Sequence, residues 1–158
     1  MDLGHGESAQ EASLTAVDCL ENYYRRPFKE IFRLCHQRLK KTRGAAMSLC
    51  RIDLKDRIMI HAGLGNVQTR VYSSEKTPAP FCINGTLGVA MQRVKVDDYP
   101  LPENYIIVMF SDGISGRFST DNFPGFLNQK PQVLAKQIIE NHARDNDDAT
   151  VMVGRKSL

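Results

Sequence analysis

The stretch Tyr105-Ile106-Ile107-Val108-Met109-Phe110-Ser111-Asp112-Gly113 decides how this chain is read. An unbroken apolar run cannot alternate between a core face and water. It therefore predicts a strand buried on both sides, ended at once by a polar turn. Asp112 then leaves the end of a core strand with its carboxylate at the surface. Downstream, helical spacing predicts a helix over 131–143. A short apolar stretch predicts a last strand over 149–153, directly preceded by Asp145-Asn146-Asp147-Asp148.

Upstream the pattern has two periods. Ala9, Ala12, Ala16, Leu20 and Tyr24 recur at helical spacing over 7–25. Pro27 opens a second helix with Phe28, Ile31, Phe32, Cys35 and Leu39 on one face, ended by Gly44. Strands are predicted over 46–54, 57–62 and 67–72, and a further alternating strand over 92–96. Gly63-Leu64-Gly65-Asn66 predicts a tight hairpin with glycine at positive φ. A lone GxG between strands lacks the strand-loop-helix context of a nucleotide loop. Consecutive strands with helices before and after them predict an α+β fold, with helices packed outside antiparallel sheet.

The 158 residues suit a single domain, 1–158, and contain no internal repeat or linker. With 42% hydrophobic and 25% charged residues, a disordered tail or a fibre is excluded. No stretch approaches the roughly 18 apolar residues of a membrane span. The first residues, Met1 to Glu7, have neither a basic nor an apolar signal region, so a cytoplasmic location is expected. Cys19, Cys35, Cys50 and Cys82 form no CxxC pair and are expected to be reduced, mostly buried thiols. His36, His61 and His142 show no ligand spacing.

The net charge of +3 is too small to imply nucleic-acid binding. Eight basic residues crowd into 25–43 (Arg25, Arg26, Lys29, Arg33, Arg38, Lys40, Lys41 and Arg43). The run reads either as the solvated face of a helix or as a docking face for an acidic phosphoprotein.

Asp112 and the pair Asp147-Asp148 stand at strand ends and can converge across a sheet edge. Carboxylates so placed repel, and a hard divalent cation relieves the repulsion. The same residues also read as an Asp-Gly turn and a solvated cap, and spacing alone leaves both readings open.

Six separated segments, in order, resemble the PP2C-like bacterial serine phosphatases of the SpoIIE type, and especially the small stressosome feedback phosphatases of the sigma-B pathway. They are Gly4-His5-Gly6 with the Ala-rich helix after it, Thr42-Arg43-Gly44-Ala45-Ala46, Ala62-Gly63-Leu64-Gly65-Asn66-Val67, Asn84-Gly85-Thr86-Leu87-Gly88, Phe110-Ser111-Asp112-Gly113-Ile114 and Asp147-Asp148-Ala149-Thr150-Val151. The resemblance implies an αββα sandwich of two antiparallel sheets flanked by helices. It also implies a site for Mn²⁺ or Mg²⁺, two ions, that activates water for attack on a phosphoserine or phosphothreonine of a STAS-domain or stressosome-type regulatory protein.

Carried over by residue, the resemblance makes Asp112 and Asp147 metal ligands, with Asp148 in support and Gly113 a further contact. His5 is either a proton donor to the leaving group or a residue of the helix start. Arg43, at a helix-to-strand junction, either contacts phosphate or caps a carbonyl. Aligning on Gly4-His5-Gly6 places Met1 where the family has its bridging aspartate and Asp2 where it has glycine, so Asp2 is a ligand only from a shifted position. Relatives carry strands ahead of this motif, and an N-terminally truncated domain is expected. A catalytically inactive interaction module in the same pathway is the alternative.

Overall fold

The computed structural model describes residues 7–91, 93–145 and 147–156. The chain divides into two compact units. One comprises Met1–Arg51, Ile60–Val67 and Cys82–Asp97; the other comprises Ile52–Met59, Gln68–Phe81 and Asp98–Leu158.

In the first unit, helix α1 spans Glu7–Tyr23 and α2 spans Phe28–Leu39. Pro27 holds φ at −57°, ready for the first turn of α2, whose buried residues are Phe28, Ile31, Phe32, Cys35 and Leu39, the face read from the sequence. The Cys35 thiol donates to Cys19 Sγ over 2.8 Å and so links α2 to α1. Burial pushes the Cys35 thiol up, and it stays protonated. All four cysteines are free thiols; Cys19 and Cys35 are buried, and Cys50 and Cys82 half-buried. Arg51 donates to the carbonyls of Tyr24 and Arg26 and lies 4.8 Å over the Phe28 ring, which fixes the connection between the helices. The predominantly basic stretch is a largely solvated surface. Arg26 pairs with Glu30 at 3.3 Å and Arg38 with Asp18 of α1.

Strands β1 (Met47–Asp53) and β2 (Ile58–Leu64) follow, and each runs from one unit into the other. Three strands, ordered β1-β2-β4 with β4 at Asp97–Pro100, make one sheet; β3 (Gln68–Tyr72), β5 (Ile106–Phe110) and β6 (Val151–Arg155) make the other. The turn at Gly63–Asn66 therefore closes no hairpin, although Gly65 does take a positive φ of 94°. The reason lies in the backbone edge: Gly65 donates to Ile83 O at 2.9 Å and Ile83 to Gly63 O at 3.0 Å. With that edge occupied by Ile83, the chain crosses to the other sheet.

The strand expected over 92–96 is also absent among the described residues, and Gln92 itself lies outside them. Alternation there reflects Val94 plugging the core at 6% exposure without a ladder partner, and pairing begins only at β4.

In the second unit β5 is the middle strand, antiparallel to both neighbours, with Val108 opposite Arg70 and Val153, and Phe110 opposite Gln68 and Val151. All five of its residues are buried. Each such side chain contributes about 1.5–3 kcal/mol of burial. Helix α3 (Pro131–His142) adds Leu134 and Ile138 to a core that includes Ile106, Phe110, Ile114, Phe118 and Phe126. The last strand starts at Val151 rather than at 149 because Thr150 belongs to a turn described below.

His61 on β2 is 1% exposed, and its Nε2 lies 3.0 Å from Ser48 Oγ. Burial lowers its pKa, against a smaller opposing pull from Asp97. The folded state thus binds a proton less readily than the unfolded chain. Stability is full above about pH 6.5 and falls as the pH drops towards and through the folded value. Urea midpoints at pH 7.5 and 5.5 test this: the wild type should lose stability on acidification, and His61→Gln should lose less.

Candidate active site

The second unit brings Asp112 and the Asp147-Asp148 pair to one edge, and backbone contacts do the positioning. After Phe110 the chain turns. Asp112 is exposed, while Gly113 is buried. Ser111 N donates to Thr150 O at 3.1 Å, Thr150 N donates to Ser111 Oγ at 3.0 Å, and Ser111 Oγ donates to Asp148 O at 3.3 Å. One serine therefore ties the turn after β5 to the turn before β6.

Gly113 completes the junction. A Cβ on it would lie 2.7 Å from Asp148 C and 3.0 Å from Ala149 Cα, and closer still to Asp148 O. Only a residue without a side chain lets the two acidic turns touch. The Gly113 carbonyl accepts from Arg144 N at 2.8 Å, and Ser115 N donates to His142 O at 2.7 Å, so the end of α3 holds the far side of the same loop. Asp147 Oδ1 accepts from the Asp148 amide at 2.9 Å, which fixes its carboxylate.

The other predicted residues are placed differently. Arg43 is half-buried in the first unit, in a junction shaped by Thr42 and Gly44: Thr42 Oγ1 donates to Leu39 O at 2.8 Å, Gly44 N donates to Thr42 Oγ1 at 3.1 Å, and Gly44 has φ 84°. His5 and Asp2 lie outside the described residues. Among the described residues no group of three or more His, Cys, Asp or Glu side chains is arranged to hold a metal ion. Sequence reasoning gave no role to Ser111, although a serine just before Asp-Gly at a strand end is a hydroxyl placed to bond a neighbouring turn. It also missed Arg70, whose two carbonyl partners, Gly116 and Phe118, lie more than 40 residues away in sequence.

Solved structures share this architecture. A protein from work on the bacterial stressosome, described as a modular system adapted to control secondary messenger signaling, superposes with a TM-score of 0.86 at 28% identity, over 96% of this chain and 79% of that one. RsbX in complex with magnesium superposes with a TM-score of 0.84 at 25% identity, over 98% of this chain and 77% of RsbX. The phosphatase domain of SpoIIE from Bacillus subtilis shares the fold at a TM-score of 0.56 and 16% identity, over 100% of this chain and 75% of that domain. The two antiparallel sheets with their helices have the PP2C-like phosphatase fold, and the chain is a hydrolase of the PP2C-like protein-serine/threonine phosphatase class.

Residues 3–156 match the family described as Stage II sporulation protein E (SpoIIE), and the chain belongs to that family. The phosphoserine phosphatase RsbX of Bacillus subtilis (strain 168) is 29% identical over 161 residues, which cover 98% of this chain and 77% of RsbX.

Gly113→Ala forces two backbones apart and should destabilise by about 1–3 kcal/mol. Ser111→Ala, which leaves backbone groups short of a partner, should cost a similar amount. Urea denaturation of both variants measures this; a wild-type midpoint for Gly113→Ala would show that the close approach is not needed.

Proposed function

We propose that this chain is a divalent-cation-dependent phosphatase that hydrolyses a phosphoserine or phosphothreonine on a regulatory protein of the STAS-domain, stressosome type, in the cytoplasm. The observation that carries the reading is the packing of Gly113 on Asp148, which joins the turn that carries Asp112 to the segment that carries Asp147 and Asp148. Two exposed acidic turns held together by backbone are an arrangement of hard oxygen donors suited to Mn²⁺ or Mg²⁺. These residues fit the group: Asp112 and Asp147 would be ligands, and Asp148 would hold the loop.

Further donors would come from the segment of Asp2 and His5, and the reading expects two ions. When bound, the ions supply Lewis acidity and a water acidic enough to attack phosphorus near neutral pH. The chain's own part is to gather negative charge at one edge and to keep it from relaxing. Ser111 and Gly113 prevent the turns from separating, and the Asp148 amide orients the Asp147 carboxylate. The Gly113 carbonyl already accepts from Arg144, which favours Gly113 as the close-approach residue over a ligand. The partner class is supported by the structural neighbour from the stressosome work and by the identity to RsbX.

Phosphate release from a phosphoserine protein, with Mn²⁺ against a chelator, tests the reading. The wild type should turn over only with the cation. Asp112→Asn should lower the rate by about a hundredfold or more, each tenfold being about 1.4 kcal/mol of barrier. Because Asp112 is exposed, the same substitution should move stability by no more than about 0.5 kcal/mol. Turnover in the presence of chelator, or full activity of Asp112→Asn, would overturn the proposal.

A further inference from the structure

Arg70, on β3, projects from the same face as Gln68 and reaches the loop that carries Asp112. Its Nη2 donates to Gly116 O at 2.7 Å and to Gln68 Oε1 at 3.1 Å, and its Nη1 donates to Phe118 O at 3.2 Å. Its guanidinium carbon lies 5.1 Å from the ring centres of both Phe110 and Phe118, and those rings are 5.3 Å apart. Phe110 is two residues before Asp112; Gly116 and Phe118 are four and six residues after it. One planar cation thus grips the chain on both sides of the aspartate: by stacking before it, and by two carbonyls after it.

The grip uses what is particular to arginine. Three acceptors and two aromatic faces are met at once by a rigid fork. A lysine ammonium on a flexible stem would reach one carbonyl and stack poorly. Because the guanidinium is committed to carbonyls and a side-chain amide, it is not disposed to bind a substrate phosphate.

We propose that Arg70 is a positioning residue for the metal site. By fixing the ends of the 110–118 loop it holds the Asp112 carboxylate where a divalent cation binds, and so sets cation affinity. The proposal rests on the metal-site reading above. Residues that orient ligands in this way typically change metal affinity by about 10–100-fold when replaced.

The structure supplies a second way to disturb the grip, from the loop side. A Cβ on Gly116 would stand 2.8 Å from Arg70 Nη2 and 3.4 Å from the Gln68 amide, in contact with flexible side-chain ends. Gly116→Ala should therefore displace the guanidinium with little demand on the backbone.

The test measures Mn²⁺ affinity by paramagnetic resonance of the free ion, together with thermal midpoints and kcat and KM against Mn²⁺ concentration. The variants, in the full chain, are Arg70→Ala, Arg70→Lys, Gly116→Ala and the Arg70→Ala/Gly116→Ala double. Arg70→Ala and Arg70→Lys should both weaken Mn²⁺ binding about tenfold or more. Excess Mn²⁺ should restore kcat, and KM for the phosphoprotein should stay within about twofold at saturating Mn²⁺, since uniform substrate binding is untouched. Gly116→Ala should weaken Mn²⁺ binding in the wild-type background and add nothing once Arg70 is gone, because the two act through one contact.

Unchanged Mn²⁺ affinity with a lowered thermal midpoint would make Arg70 a packing residue and overturn the proposal. A raised KM at saturating Mn²⁺ would overturn it in favour of a substrate contact. Asp112→Asn serves as the reference. If it abolishes Mn²⁺ binding while Arg70→Ala and Arg70→Lys bind Mn²⁺ as tightly as the wild type, only the role of Arg70 fails; if it binds Mn²⁺ like the wild type, the metal-site reading itself fails, and the Arg70 proposal with it.

Discussion

The backbone of Gly113 lies so near that of Asp148 that a methyl group on Gly113 would overlap it. From this close approach the rest of the site follows. Residues 35 positions apart can present carboxylates at one edge only if their turns meet. They can meet at backbone distance only if one of them has no side chain. The hydroxyl of Ser111 then makes the meeting specific, accepting from Thr150 and donating to Asp148. The buried β5 starts the first of these turns from a fixed place.

Several of these features were legible in the sequence, and for physical reasons. A run from Ile106 to Phe110 with no polar residue admits a strand covered on both faces, and β5 is the middle of its sheet. The helix face from Phe28 to Leu39 was readable because burial at helical spacing leaves a periodic trace. Asp112 and Asp147-Asp148 could be suspected as neighbours because each abuts a strand, and the antiparallel pairing of β5 with β6 brings the end of one to the start of the other.

What escaped the sequence were choices made by long-range backbone pairing. Gly63 to Asn66 has the composition of a hairpin turn, yet Ile83, nearly 20 residues on, takes the hydrogen bonds that a hairpin would have used. Residues 92–96 alternate as a strand would, but alternation records only which side chains point inward. Val94 points inward without a ladder. The contacts of Arg70 leave no trace in the sequence, because its acceptors at Gly116 and Phe118 are main-chain carbonyls, and carbonyls are present at every residue.

The chemistry and the scaffold are carried by different kinds of group. The carboxylate assigned the main role is exposed and makes little demand on folding, whereas the groups that place it are a glycine without room for a methyl, a shared serine hydroxyl and an arginine tied to carbonyls. Replacing the former removes charge and leaves shape; replacing the latter moves the charge and leaves it intact. The two kinds of loss are thus separable in principle: the first persists at any cation concentration, and the second yields to mass action when cation is added. On the proposed reading, cation affinity would be adjusted by residues that never touch the ion, through loop geometry alone, while the acidic residues themselves stay the same.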